Sequence, residues 1–130
     1  MEYYTSDKAN QKVINNLKIA QYMGYQKDYY DHNRNGKSEI WVRPDKAWRY
    51  LSPYEFDYNE NLNSLMEVVD KMKKDFIEDG FEFRIFINPD GLYRTVINLS
   101  AYMTLKDADN VLDSVYAAVL DIVENLLELK

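Results

Sequence analysis

FEFRIFINPDGLYRTVINLS, residues 81–100, is the stretch whose reading decides the fold. Pro89 pre-sets the backbone of a tight turn, and Gly91 supplies the positive φ that a three-residue hairpin loop with a bulge requires. Such a loop sets Asn88 opposite Leu92. Counting outward pairs Ile87 with Tyr93, Ile85 with Thr95, Phe83 with Ile97 and Phe81 with Leu99, all on one largely apolar face. Glu82 with Asn98, Arg84 with Val96 and Phe86 with Arg94 then share the other face. A slip of one residue would mix the two sets, so the pattern specifies the register as well as the hairpin.

Helices are expected on either side of this hairpin. The spacing predicts a first helix after Ser6 through DKANQKVINNLKIAQYM, residues 7–23. Val13, Leu17 and Ala20 mark its inner face, Ile14 flanks it, and Gly24 ends it. A second helix carries Leu62, Leu65, Met66, Val69, Met72 and Phe76 as one stripe, with Asn59 or Asn61 as its cap and Gly80 as its stop. A third helix opens at Thr104 and Asp107, which fit a capping box, and continues to the C-terminus. Its stripe is Ala108, Val111, Leu112, Val115, Val119, Ile122, Leu126 and Leu129, widened by Tyr116, Leu120, Val123 and Leu127. So wide a stripe has two readings: the helix lies between the sheet and another helix, or it forms a homodimer seam.

Residues 25–58 alternate less cleanly. SEIWVR and AWRYLS read as two strands joined around Pro44, Asp45 and Lys46. The resulting order, α-β-β-α-β-β-α, implies an α+β fold in which helices pack on an antiparallel sheet as a three-layer sandwich. No repeat, low-complexity tract or linker interrupts the 130 residues, and one domain spanning 1–130 is expected.

Composition removes several function classes. With 46% hydrophobic and 15% aromatic residues the chain can build a core. No apolar run reaches the roughly 18 residues of a membrane span. The opening MEYYTSDK lacks the basic-then-apolar order of a signal peptide, so a cytoplasmic location is expected. The absence of cysteine excludes disulfides, thiol catalysis and thiolate metal sites. Charge is divided unevenly: residues 1–54 hold 9 Lys+Arg against 6 Asp+Glu, whereas residues 55–130 hold 7 against 16. Nucleic acid is not expected as a partner, because phosphate backbones select clustered cations.

Candidate chemistry is sparse. The single histidine, His32, sits in a polar stretch, no serine occupies a Gly-x-Ser-x-Gly elbow, and the four glycines are dispersed rather than forming a phosphate loop. Asp75, Glu78, Asp79 and Glu82 gather near the end of the second helix and read as solvated charges. DHNRNGKSE, residues 31–39, places Asp31, Asn33, Asn35, Gly36 and Glu39 at five positions of a calcium loop. Val42 stands at the twelfth, where a bidentate acid is needed, and Arg34 and Lys37 oppose a cation, so a polar turn at Asn35-Gly36 that links DYY to SEIWV as a hairpin is expected. No catalytic residue, metal or cofactor is assigned. The best binding candidate is the aromatic and cationic segment, with Trp41, Arg43, Trp48, Arg49 and Tyr50 as its centre and Tyr29, Tyr30 and Tyr54 around it. Equally consistent with alternation is that both tryptophans are core and the arginines rim.

Three further stretches carry a family resemblance. NNLKIAQYMGY (15–25), YNENLNSLMEVVDKM (58–72) and ADNVLDSVYAAVLDIVENL (108–126) resemble the opening helix, the characteristic middle motif and the closing helix of the phage ABA sandwich domain family. The chain departs from that pattern at Leu62, where the family commonly has Trp, at Glu67, where it usually has Pro, and in the longer loops of residues 26–54. The resemblance implies a three-layer α/β sandwich of phage or prophage origin, and it carries no catalytic residues over. The expected function is therefore a small, soluble, non-enzymatic binding protein whose partner is a host or phage protein, for example a host defence or regulatory protein. The alternative is a binder of an anionic, aromatic, nucleotide-like small molecule, and a carboxylate-based hydrolase ranks last.

Overall fold

The computed structural model describes residues 7–31, 36–46 and 50–128. Among them the order is α1 (Asp7–Tyr22), β1 (Gln26–Asp31), β2 (Lys37–Val42), β3 (Tyr50–Leu51), α2 (Leu62–Phe76), β4 (Glu82–Ile87), β5 (Tyr93–Asn98), β6 (Met103–Ala108) and α3 (Val111–Glu128). The fold is α+β, with two three-stranded antiparallel sheets ordered β1-β2-β3 and β4-β5-β6. The chain divides into two compact units, Met1–Asp57 and Tyr58–Lys130.

In the first unit, α1 buries Asn16, Ile19 and Ala20 rather than the Val13-Leu17-Ala20 line, which is half-buried apart from Ala20. Asn16 is buried because its amide donates to the Phe56 carbonyl at 3.0 Å, and that polar anchor turns the helix toward Ile19. The β1–β2 hairpin pairs Asp31 with Lys37 and Gln26 with Val42. Its connecting residues 32–35, with His32, Asn33, Arg34 and Asn35, lie outside the described residues. β1 adds a strand to the seven-element order, and its pairing with β2 is the DYY-to-SEIWV hairpin that the polar-turn reading implies. β3 joins β2 through the pairs Trp41–Leu51 and Val42–Tyr50.

The second unit grows from the 81–100 hairpin, and its register is the one that the sequence specifies, from Glu82–Asn98 to Ile87–Tyr93. Asn88 closes the loop. Its backbone N–H donates to the Leu92 carbonyl at 2.8 Å, and its side-chain oxygen accepts from the Asp90 and Leu92 amides at 2.8 and 3.0 Å. Gly91 takes φ +84°, the left-handed conformation expected for it.

Residues 103–108 form a third strand and not the start of α3. Thr104 and Asp107 do match a capping box, but MTLKDA alternates. Thr104 is buried against α3, while Met103 and Leu105 are exposed. Tertiary pairing with β5 overrides the local capping signal. The helix is capped instead by Asn110 and Asp113: the Asp113 amide donates to Asn110 Oδ1 at 2.8 Å, and Asn110 Nδ2 donates back to Asp113 Oδ2 at 3.0 Å. On α2, Asn61 caps through the Ser64 amide, and the buried set is Leu65, Val68, Val69 and Met72. Leu62 and Met66 are exposed, so the helix is rotated toward Val68 relative to the expected stripe.

α3 packs on β5 and β6 and also meets α2. It thus lies between sheet and helix, which accounts for its two-sided burial: Val115, Ala118, Val119, Ile122 and Val123 have no exposed surface. Burial, and then Glu124, push the Tyr116 phenol up to about 12. At the helix–sheet contact the hydroxyls of Thr95 and Ser114, both fully buried, bond to each other, and Ser114 also donates to the Lys106 carbonyl at 3.2 Å. On the opposite sheet face Arg94 forks onto Asp107 at 2.8 and 3.0 Å. That hydrogen-bonded guanidinium holds the Asp107 carboxyl below its usual value of 3.8.

Two predictions follow from these contacts. Ser114→Ala strands the buried Thr95 hydroxyl and costs about 1–3 kcal/mol in urea unfolding, while the Thr95→Val/Ser114→Ala double variant costs less than the sum of the singles. A lowered folded pKa adds stability above the unfolded value and loses it as pH falls through the folded one. Asp107→Asn should therefore show a shallower acid loss of stability below pH 3.8 than the parent, measured by unfolding at stepped pH.

Candidate functional site

Of the aromatic and cationic segment selected from the sequence, Trp41, Arg43 and Tyr50 are described. Trp41, next to the C-terminal end of β2, is only 9% exposed, and its indole N–H donates to Glu39 at 2.8 Å. Arg43 is held by Asp45 through two bonds of 3.1 and 2.8 Å and lies over the Tyr25 ring at 5.7 Å. The Asp45 hydrogen bond first, and then the charge of Asp45 and Tyr25, raise the Arg43 guanidinium above the usual arginine range. Tyr50 is exposed and stacks on Tyr30, with centroids 6.0 Å apart and planes 15° from parallel. Because Val42, not Trp41, pairs with Tyr50, strand alternation puts Trp41 and Tyr50 on opposite faces of the sheet. Trp48 and Arg49 lie outside the described residues.

Within the second unit, the end of α2, the β5–β6 turn and the C-terminal half of α3 enclose a cleft of about 430 Å³. Its apolar floor is Phe76, Leu99 and Leu126, and its polar groups are Asp79, Ser100, Tyr102 and Asn125. A neighbouring groove of about 240 Å³ shares Tyr102 and Asn125 and adds Asp121, Glu124 and Glu128.

Each element is placed for a local reason. α2 stops after Phe76 in a short 3-10 turn, Ile77–Asp79, because Gly80 adopts φ +87° and its N–H returns to the Ile77 carbonyl at 3.4 Å. That leaves Asp79 at the mouth. The β5–β6 turn is closed by the Leu99 amide donating to the Tyr102 carbonyl at 2.8 Å, which leaves Ser100 and Ala101 as a two-residue loop. Its first residue has positive φ, as a II′ turn requires, and here that residue is Ser100 at +76°. The Ser100 amide donates to Asn98 Oδ1 at 2.8 Å, which helps to hold this strained conformation.

Asp121 organises the acidic side. Its carboxylate accepts from the Tyr102 hydroxyl, 3.2 Å from each oxygen, and from the Thr104 hydroxyl, with the Lys106 ammonium 3.8 Å away. Partial burial, with the charges of Asp121 and Glu128, pushes the Tyr102 phenol above its usual value, so it remains a protonated donor at neutral pH. Both oxygens of the Asp121 carboxylate are thus engaged by hydroxyl donors of the same unit. Among the described residues, no group of three or more His, Cys, Asp or Glu side chains converges to hold a metal ion. The arrangement suits a cation with an apolar stem: the floor covers the stem, and the carboxylates meet the charge.

Among these residues the sequence marks Phe76, Leu99 and Leu126 as packing positions and Asp79 as a solvated charge, and none of them as part of a site. The available signals were Asp121 set between Leu120 and Ile122 in the most apolar helix, and the short gap between INLS and YMTL, which a tight turn must bridge. Among the described residues, no helix is long and apolar enough to cross a membrane. In comparisons with known proteins, no family model, curated protein or solved structure matches the chain.

Replacing Ser100 with glycine removes the positive-φ strain of a side chain and should raise stability by about 1 kcal/mol in thermal unfolding. A loss of stability would mean that the Ser100 side chain contributes more than the strain costs.

Proposed function

We propose that this chain is a non-enzymatic binding protein that receives a basic, partly apolar segment of a partner protein in the cleft bounded by α2, the β5–β6 turn and α3. One observation carries the reading: the apolar floor of Phe76, Leu99 and Leu126 lies beside carboxylates of Asp79, Asp121, Glu124 and Glu128. The surrounding half of the chain, 55–130, holds 16 acidic against 7 basic residues, which would steer a basic partner toward the cleft. A phage or prophage origin, a host defence or regulatory protein as the partner, and a cytoplasmic location belong to the same proposal; the first two rest on the family resemblance of 58–72 and its flanking helices.

The small-molecule alternative has less behind it. It requires Trp41 and Arg43 to face a ligand, whereas Trp41 is bonded to Glu39 and Arg43 to Asp45. A carboxylate hydrolase would need an acid or base open to substrate, and Asp121, the carboxylate beside Tyr102, already accepts from Tyr102 and Thr104.

The test is capture from host lysate, with the captured proteins and any co-purified small molecules identified by mass spectrometry. Capture should favour basic proteins, weaken with salt and fall at least tenfold in Asp79→Lys/Glu128→Lys, a loss of about 1.4 kcal/mol. It should survive Tyr30→Ala/Tyr50→Ala. Loss in the tyrosine variant with retention in the charge-reversed one would move the site to the first unit, and turnover of a nucleotide, ester or phosphate panel would overturn the non-enzymatic reading.

A further inference from the structure

The second unit leaves one of its sheet edges self-complementary. In the order β4-β5-β6, β4 carries no strand on its outer side among the described residues. Asn88 donates to Leu92, so alternation makes Phe86–Arg94, Arg84–Val96 and Glu82–Asn98 the hydrogen-bonded pairs of the hairpin. The N–H and C=O groups of Phe83, Ile85 and Ile87 therefore point away from β5. Their side chains lie on the α3 side of the sheet, but α3 covers β5 and β6. Ile87 is 62% exposed, Ile85 37%, and Phe86 on the other face 39%. Free ladder groups together with exposed branched and aromatic side chains are what strand pairing uses.

The neighbouring edge is better protected. The outward row of β6 ends in Asp107, which is forked by Arg94, and its inward row includes Lys106 beside Asp121. β4 instead carries an internal Arg84–Glu82 pair at 3.1 Å, with Arg84 over the Phe86 ring at 5.6 Å.

We propose that β4 pairs antiparallel with β4 of a second copy about a two-fold axis at Ile85, joining two three-stranded sheets into one of six strands. That register sets Ile85 opposite Ile85, Phe83 opposite Ile87 and Arg84 opposite Phe86. On one face it makes a band of six apolar side chains between the two α3 helices. On the other it repeats across the axis the arginine-over-phenylalanine contact already present within the chain. No like charges stand directly opposite each other. The neighbouring registers are poorer: an axis at Arg84 sets two arginines directly opposite each other, which is repulsive. An axis at Phe83 gains Glu82–Arg84 pairs but leaves Phe86 and Ile87 outside the overlap. The contact is isologous and closes on itself, so it yields a dimer and not a fibre. It differs from a seam on α3, whose most apolar positions are buried within the chain itself.

The test is light scattering over a concentration series, in parallel with single-cysteine variants. The chain has no cysteine of its own, so each introduced thiol reports alone. The parent should approach twice its 15.5 kDa mass as concentration rises. Ile85→Pro removes only an outward N–H, leaves the β5 ladder intact and should be monomeric with a native circular dichroism spectrum. Ile87→Lys, at an exposed position, should give the same result and serves where the proline variant fails to fold. Ile85→Cys should crosslink on oxidation, because opposed Cα atoms of a hydrogen-bonded pair stand about 5.5 Å apart, within disulfide reach. Phe83→Cys should not. A parent that stays monomeric at every concentration, a dimer that persists in both β4 variants, or crosslinking of Phe83→Cys in place of Ile85→Cys would overturn the proposal.

Discussion

α3 must be buried on two sides at once, and it does so across a helix–sheet contact that is not purely apolar. Val115, Ala118, Val119, Ile122 and Val123 supply the driving force, at about 1.5–3 kcal/mol for each fully buried valine or isoleucine. Burial alone does not fix how far a helix slides along a sheet, because apolar surface is not directional. Direction comes from two polar points on one helix. Ser114 bonds Thr95 of β5 and the Lys106 carbonyl of β6, and Asp121 bonds Thr104 of β6 and Tyr102 beyond the turn. These residues are seven apart, two helical turns, so both points fall on one side of α3. Sliding the helix would leave hydroxyls buried without partners, which costs more than the apolar surface could regain.

That constraint also makes the cleft. Once Asp121 is tied to Tyr102 and Thr104, the last turns of α3 are held beside the β5–β6 turn, and Leu126 and Asn125 become a wall. The far wall is the end of α2, which Gly80 terminates before the helix could fill the space. The acidic character follows from the same arrangement, since Asp121 is needed for the helix–sheet register and Glu124, Asn125 and Glu128 follow it within two turns of α3. Packing and the acidic character of the cleft thus draw on one set of groups.

How much of this is legible in the chain differs by element. The 81–100 hairpin is legible residue by residue, because turn chemistry and side-chain period both act between neighbours in sequence. The three helices are legible as elements, though their rotation is not. Met66 and Val68 are both plausible inner residues of α2, and only contact with α3 selects Val68. Asn16 is not marked by hydropathy at all, since what buries it is the Phe56 carbonyl 40 residues away. The stretch TLKD shows the opposite failure, a good local capping signal defeated by a strand partner. In the aromatic segment around Trp41, composition marks a set of residue types but not their partners: Glu39 takes the Trp41 indole N–H, and Asp45 and Tyr25 meet the Arg43 guanidinium.

By itself, then, the sequence determined an α+β chain with an antiparallel hairpin in one register, bounded by amphipathic helices and without thiol chemistry. Those features depend on φ preferences, the two periods of 2.0 and about 3.6 residues, and residue identity, all of which act locally. Only the tertiary structure decided that 103–108 is a strand, which arc of each helix is buried, that Trp41 and Tyr50 face apart, and that Asp79, Tyr102 and Asp121 stand around one cleft. Each of those outcomes depends on groups far apart in the chain satisfying one another's hydrogen bonds and excluding water together, and no window of sequence contains both partners.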